Sequence, residues 1–233
     1  VYMADSDFIK VPKGLLNRAY LWDRSQALIR EQALEPDEVE EGNPPFDHAL
    51  NFAPDASLEL PSTSHFSIVD NDGNVVSMTT TIENGFGSRL VVDGFLLNNE
   101  LTDFSFLPKH EGKPVANRIE PGKRPRSSMA PTIVFKDNRP VLAIGSPGGS
   151  RIIPYVAKTL VAWIDWGMDI QKAIELPHLV NRFGTYDLEK GTAAESLEDD
   201  LNALGFETSI RELNSGLHGI EITADGLEGG ADP

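Results

Sequence analysis

Apolar residues recur at helical spacing near the start of the chain. The run from Leu15-Leu16 through Ala19-Tyr20, Leu28-Ile29 and Ala33, with Arg24 and Arg30 on other faces, predicts a helix over 15–33. From Leu34 to Leu60 the pattern dissolves. Glu35-Pro36-Asp37-Glu38-Val39-Glu40-Glu41-Gly42 is acidic, Asn43-Pro44-Pro45 and Ala53-Pro54-Asp55 follow, and the run reads as a mobile, solvated linker. Composition shifts at Thr63, which predicts a boundary between 1–62 and 63–233 with an accessible cutting region before it.

Beyond that boundary the period changes to two. Phe66 and Ile68, then Val76 and Met78, alternate with polar neighbours on either side of Asp72-Gly73, a two-residue turn signal, and predict a hairpin. Leu90-Val91-Val92 and Phe95-Leu96-Leu97 flank Asp93-Gly94, and Thr132–Phe135 and Val141–Ile144 flank Lys136-Asp137-Asn138-Arg139 as another hairpin. Ser150 to Trp166 is apolar on all sides and predicts a buried helix. A short helix is expected over 169–175, and another over 196–204 with Gly205 as its cap. Strands are expected at Glu207–Glu212 and Gly219–Thr223, and the order of elements predicts an α+β layered domain.

Composition narrows the function. A chain of 233 residues can bury a full core, and its net charge of −16 disfavours nucleic acid or an anionic membrane as partner. No window approaches about 18 uninterrupted apolar residues, so no membrane span is expected. Cysteine is absent, which excludes disulfides and thiolate chemistry. His48, His65, His110, His178 and His218 form no metal-ligand spacing, and no G-x-S-x-G elbow is present, so neither a metal nor another cofactor is expected. His65 reads as a structural strand-start residue. The chain begins Val1-Tyr2-Met3, without a starting methionine or signal pattern, and reads as a fragment or processed product.

Four stretches carry candidate chemistry. Ser62-Thr63 opens the first strand of the hairpin; cutting there would free an α-amine with a pKa of about 8 beside the Thr63 hydroxyl, a self-contained nucleophile and base, whereas the bland reading is a hydroxyl-rich strand start. Gly145-Ser146-Pro147-Gly148-Gly149-Ser150-Arg151 lies between a strand and a helix and lacks the lysine of a phosphate loop, leaving an oxyanion hole or a tight turn. Glu100 and Asp103, three apart in a turn, either hold an ammonium group or belong to a solvated acidic loop. Arg124-Pro125-Arg126-Ser127-Ser128-Met129-Ala130-Pro131 either binds a carboxylate through Ser127, Ser128 and local N–H groups or is a surface turn.

The order of these motifs is more specific than any one of them. Thr63-Ser64-His65, Thr79-Thr80-Thr81-Ile82, Phe86-Gly87-Ser88, Leu97 to Ser105, Lys123 to Thr132, Gly145 to Ile152 and the closing Gly229-Gly230-Ala231-Asp232-Pro233 together resemble the small subunit of γ-glutamyltranspeptidases, members of the N-terminal-nucleophile hydrolase superfamily. Tyr2-Met3-Ala4-Asp5 and Val11 to Leu16 resemble the end of that family's large subunit, although the large-subunit arginine used on the substrate carboxylate has no counterpart. The resemblance implies a four-layer αββα sandwich and a precursor that cuts itself before Thr63. It implies Thr63 as nucleophile, Thr81 orienting it, and Gly148 and Gly149 as oxyanion donors. Glu100 and Asp103 would bind the α-ammonium of a γ-glutamyl group, and Ser127 and Ser128 its α-carboxylate. Glu83 stands where better-known members carry asparagine. A third carboxylate there either strengthens amine binding or makes two acids share a proton. The implied partners are a glutathione-like donor, water or an amine acceptor, and the large subunit of the same precursor. The implied setting is periplasmic or extracellular. By position, Leu107–Gly122 reads as a lid; an acylase acting on glutaryl or cephalosporin amides is the neighbouring activity on the same fold, and a catalytically silent homologue is the alternative from a different class.

Overall fold

The expected hairpin forms from β1 (Thr63–Val69) and β2 (Val75–Thr81) in a computed structural model that describes residues 1–29, 31–35, 38–45, 52–55, 62–182, 184–213 and 215–233. Its connection is longer than the two-residue turn read from Asp72-Gly73. Val69 pairs with Val75, and the Asp70 carboxylate closes the loop by accepting from the N–H groups of Asp72 (2.9 Å) and Asn74 (2.8 Å). An Asx-type bond of this kind competes with the tight turn and wins here. Much of the acidic stretch between Leu34 and Leu60 lies outside the described residues, including Pro36-Asp37, His48 and 56–60.

The hairpin is followed by the short pairs β3 (Val91–Val92) with β4 (Phe95–Leu96) and β5 (Lys109–His110) with β6 (Lys113–Pro114). Then come β7 (Thr132–Lys136) and β8 (Arg139–Gly145), joined through Asp137 and Asn138 at φ 50° and 60°, the left-handed pair that a tight hairpin turn requires. The remaining elements are α1 (Arg18–Leu28) near the start, then α2 (Ile152–Ile164), α3 (Ile170–Ile174), β9 (Leu179–Asn181), β10 (Tyr186–Glu189), α4 (Glu198–Ala203), β11 (Thr208–Arg211), β12 (His218–Ile222) and β13 (Leu227–Ala231). Strands β13-β12-β8-β7 form an antiparallel sheet, and β11-β10-β9 form a smaller mixed one.

Helix α1 is shorter than the apolar spacing predicts. A 3-10 turn occupies Lys13–Leu16, and the Asn17 side chain then caps α1 by accepting from the Tyr20 N–H at 3.1 Å. None of its residues is buried. Helix α2 is buried along one face only, through Ile152, Tyr155, Val156, Thr159 and Ala162, whereas Ile153, Val161 and Ile164 are exposed. Apolar residues all round therefore overstated its burial.

The core lies between the four-stranded sheet and this helix face. Leu142 and Ile144 of β8 pack with Ile152, Tyr155 and Val156 of α2, Ile170 and Ile174 of α3, and Leu217. On the opposite face of the sheet sits the β1–β2 hairpin, with its polar side inward: Ser77 Oγ donates to the Ile144 carbonyl at 3.0 Å, and the His65 ring lies 4.8 Å from that of His218. His65 is buried as a structural residue, bonded to Thr79 Oγ1 (2.8 Å) and Ser67 Oγ (3.1 Å), and burial together with the nearby His218 pushes it down to about 4, so it is neutral at physiological pH. The apolar side of the hairpin faces out, leaving Phe66, Ile68, Val76 and Met78 37–51% exposed. Hairpin, sheet and helices thus stack in that order. Within the segment 107–122, Val115, Ala116 and Asn117 are enclosed at 1% exposure or less, whereas 107–113 are exposed. Among the described residues, no helix is long and apolar enough to cross a membrane.

Candidate active site

Hairpin register sets the first relation in the site. Thr63 pairs with Thr81, and a slip of one residue would turn one of the two side chains to the other face. The Thr81 hydroxyl donates to the Ser62 carbonyl at 2.8 Å and accepts from the Glu83 N–H at 2.9 Å. It therefore rests on the carbonyl that the Thr63 hydroxyl would attack in the self-cleavage expected from sequence. The chain is continuous through Ser62–Thr63, so the Thr63 nitrogen is a peptide nitrogen standing where the free α-amine would be after a cut. Thr81→Val removes a preset donor to a carbonyl that becomes negative as it is attacked. Precursor cleavage, followed by intact mass, is expected to slow by on the order of 10²-fold. An unchanged cleavage rate would remove Thr81 from the reaction.

A pocket of negative charge follows directly. Glu83 has φ 73°, an uncommon conformation for a side chain other than glycine, and is only 3% exposed. One of its carboxylate oxygens accepts from Asn99 Nδ2, while Oε1 is buried with no hydrogen-bond partner among the described residues. Glu100 Oε1 is buried in the same condition. The 3-10 turn Glu100–Asp103 places its two carboxyl groups in contact. Burial, then the charge of Asp103 and a hydrogen bond to it, then the charge of Glu83, push Glu100 up to about 7. Two carboxyl groups bonded to one another hold a proton between them, because like charges at this range resist joint ionisation.

Asn99 binds the two acidic segments together. Its amide donates to Glu83 and Thr102 Oγ1, and its Oδ1 accepts from the Asn84 N–H at 3.0 Å. Asn117 supports the turn from behind, donating to the Asp103 carbonyl at 2.7 Å and to Asp55 at 2.9 Å, and accepting from the Arg126 N–H at 3.0 Å. Asn117 belongs to no motif read from the sequence, and Asn99, although inside the Leu97–Ser105 stretch, is given a role only by these contacts.

The glycine turn and the serine turn close the other sides. Gly148 and Gly149 have φ 135° and 60°, conformations that a side chain would strain, and Gly149 opens the 3-10 turn leading into α2. The two arginines of the serine turn hold earlier segments, and Arg126 also lines the cleft. Arg124 grips Asp5 through Nε (3.0 Å) and a terminal nitrogen (2.7 Å), and Arg126 Nε donates to Asp55 at 2.6 Å. Arg124 holds the Asp5 carboxyl well below the usual carboxylate range through these hydrogen bonds. Ser127 Oγ accepts from the Met129 N–H at 3.2 Å.

Thr63, Thr81, Glu83, Asp103, Ser127, Ser128 and Gly149 line one cleft of about 40 Å³, together with Arg126, Met129, Ser150 and Ile152. That volume admits roughly two or three waters. Ser62 borders it through its bonded carbonyl. Glu100 and Gly148 stand one residue or one hydrogen bond behind the lining. The sites expected from sequence are thus brought together, with Asn99, Asn117, Arg126 and Asp55 added by the structure.

The family model described as Gamma-glutamyltranspeptidase matches residues 1–233. The chain belongs to this family. The glutathione hydrolase proenzyme of Bacillus subtilis (strain 168) is 39% identical over 225 residues, covering 92% of this chain and 37% of that relative. The chain therefore spans little more than a third of that relative's length. Among solved structures, Helicobacter pylori gamma-glutamyltranspeptidase matches with 37% identity and a TM-score of 0.64, over 72% of this chain and 98% of that one. Cephalosporin acylase from Bacillus halodurans matches with 25% identity and a TM-score of 0.80, over all of this chain and 40% of that one. These neighbours place this gamma-glutamyltranspeptidase-family chain in the N-terminal-nucleophile hydrolase fold.

Proposed function

We propose that the protein to which this chain belongs is a self-processing γ-glutamyl hydrolase and transferase that cleaves the γ-glutamyl amide of glutathione-like donors. The observation that carries this reading is the acid cluster: Glu83 and Asp103 line the cleft that holds Thr63, Glu100 stands behind Asp103, and among the described residues Glu83 Oε1 and Glu100 Oε1 are buried without a hydrogen-bond partner. Buried unpaired carboxylate oxygens are costly. A primary ammonium would satisfy them, while Ser127 and Ser128 across the cleft suit the α-carboxylate of the same amino acid. A glutaryl group has no amine and gives these acids nothing to bind.

The reaction is a ping-pong acyl transfer. The Thr63 hydroxyl adds to the γ-carbonyl, and its proton passes to the freed α-amine and on to the leaving amine. The N–H groups of Gly148 and Gly149 receive the oxyanion, and the resulting ester is released to water or an acceptor amine. Maturation uses the same hydroxyl on the Ser62 carbonyl: the C–N bond to Thr63 breaks as the ester forms, and water then hydrolyses that ester. In this reading 1–62 is the end of the large subunit and 63–233 the catalytic small subunit. The match of 72% of this chain to 98% of the Helicobacter pylori chain supports that division. The rest of the large subunit would then cover the outer, apolar face of the hairpin and complete an αββα sandwich.

Activity of the full-length precursor on paired γ-glutamyl and glutaryl amides of one chromophore tests the proposal. Cleavage of the γ-glutamyl amide, with the glutaryl amide slower by two orders of magnitude or so, is the expected result. Cleavage of the glutaryl amide alone would overturn it in favour of an acylase.

A further inference from the structure

A second polar network, remote from the cleft, runs through the end of the chain. His178 is 1% exposed and bonded at both ring nitrogens. On one side Lys158 of α2 directs its ammonium at the carbonyls of Leu176 and Pro177 and at His178 Nδ1, 3.0 Å away. Burial pushes Lys158 down to about 8, opposed by the charges of Glu189 and Asp232, so it is charged at neutral pH. An ammonium cannot accept a hydrogen bond, so Nδ1 accepts and the ring proton resides on Nε2. Nε2 then donates to Ser215 Oγ at 2.8 Å, and the Ser215 hydroxyl donates to the Asp232 carboxylate. The series Lys158–His178–Ser215–Asp232 runs from cation to anion with every donor facing an acceptor.

Two contacts connect this series to the glycine turn. Ser215 is followed by Gly216, where a Cβ would lie 2.7 Å from Pro147 Cγ, so the backbone there rests directly on the residue preceding Gly148. The next residue, Leu217, is fully buried, and its carbonyl accepts from the Asp232 N–H at 2.8 Å. On the other flank the Tyr155 ring packs on His178 at 4.1 Å, which fixes the first turns of α2 just after Gly149–Arg151. The turn that presents the Gly148 and Gly149 N–H groups is thereby held in front and behind.

We infer that Asp232, Ser215 and His178 are positioning residues for acyl transfer: they press Gly216 against Pro147 and hold the oxyanion donors of the Gly148-Gly149 turn in place. The inference rests on the reading of that turn as the oxyanion site. Such residues should act on the transition state and not on donor binding, which belongs to the acid cluster and the serine turn.

Asp232→Asn, Ser215→Ala and Ser215→Thr in the full-length protein test this, with rates normalised to cleaved, folded enzyme by active-site titration. For Asp232→Asn and Ser215→Ala, kcat is expected to fall about 10- to 100-fold with donor KM within about twofold, less than outright deletion of an oxyanion donor. Ser215→Thr keeps the hydroxyl and should recover most of the rate. If Asp232→Asn does not fold, the Ser215 pair decides. Unchanged kcat, a loss that vanishes on normalisation, or a threonine variant as slow as the alanine would each overturn the inference. Rates are read with whichever amide of the panel the wild type cleaves, so failure of the γ-glutamyl reading shows in the wild type and failure of this inference only in the variants.

Discussion

Thr63→Ala in the full-length precursor is expected to yield one uncut chain with no measurable acyl transfer. Two successive steps fail together. Without the hydroxyl there is no attack on the Ser62 carbonyl, so no new N-terminus appears; without that N-terminus there is neither nucleophile nor α-amine base in the cleft. The bonding of the Ser62 carbonyl to Thr81 and the register Thr63–Thr81 do not involve the Thr63 hydroxyl, so the fold should persist. Intact mass and a thermal melt measured together make the result specific: an uncut chain that melts like the wild-type precursor supports the assignment. Cleavage at Ser62–Thr63 in this variant would place the nucleophile elsewhere.

The second large effect is expected at Glu100, with opposite signs for binding and stability. Its carboxyl is pushed up from 4.5 to about 7 by burial and by Asp103 and Glu83, so the empty folded site holds a proton that the unfolded chain releases. The folded state thus binds more protons than the unfolded one between those values, and stability falls as pH rises from 4.5 through about 7. Donor binding runs the other way, because an ammonium needs the ionised cluster, so donor KM should fall as pH rises through about 7. Glu100→Gln is expected to raise the thermal midpoint of the empty enzyme at pH 8. It should also weaken donor binding by roughly 10- to 100-fold, the scale of one charge-assisted hydrogen bond at about 1.5–3 kcal/mol. A variant with unaltered KM and an unaltered pH profile would mean that the amine is bound without Glu100.

The site was legible in sequence to the extent that its chemistry is local. Ser62-Thr63 at a strand start, Glu100 and Asp103 in one turn and Gly148 and Gly149 at one strand-to-helix junction are local patterns that offered this chemistry beside a plainer alternative, whereas the roles of Thr81 and Glu83 came only from the resemblance carried by the order of the motifs. The supporting residues were not legible, because Asn117 acts on Asp55 and Arg126 on the same carboxylate across 62 and 71 positions of sequence. The alternation in β1 and β2 identified strands but not which side faces the sheet: His65, Ser67, Ser77 and Thr79 turn inward because their polar atoms find partners there. Strands β9, β10 and β13 escaped for a related reason. Leu227–Ala231 contains two glycines and a glutamate, and it pairs only because β12 offers an edge.

The grips of Arg124 on Asp5 and of Arg126 on Asp55 span the bond before Thr63. While the chain is whole, each is a loop-closing contact whose ends are never far apart. If the bond is cut as proposed, the same contacts become a subunit interface, and an unfolded molecule would come apart into two diffusing pieces. Refolding then requires a bimolecular encounter, and the covalent memory that brought Asp5 and Asp55 to their arginines is gone. A protein cut there would therefore reach its assembled state through its precursor, and a denatured sample would recover in proportion to how often its halves meet.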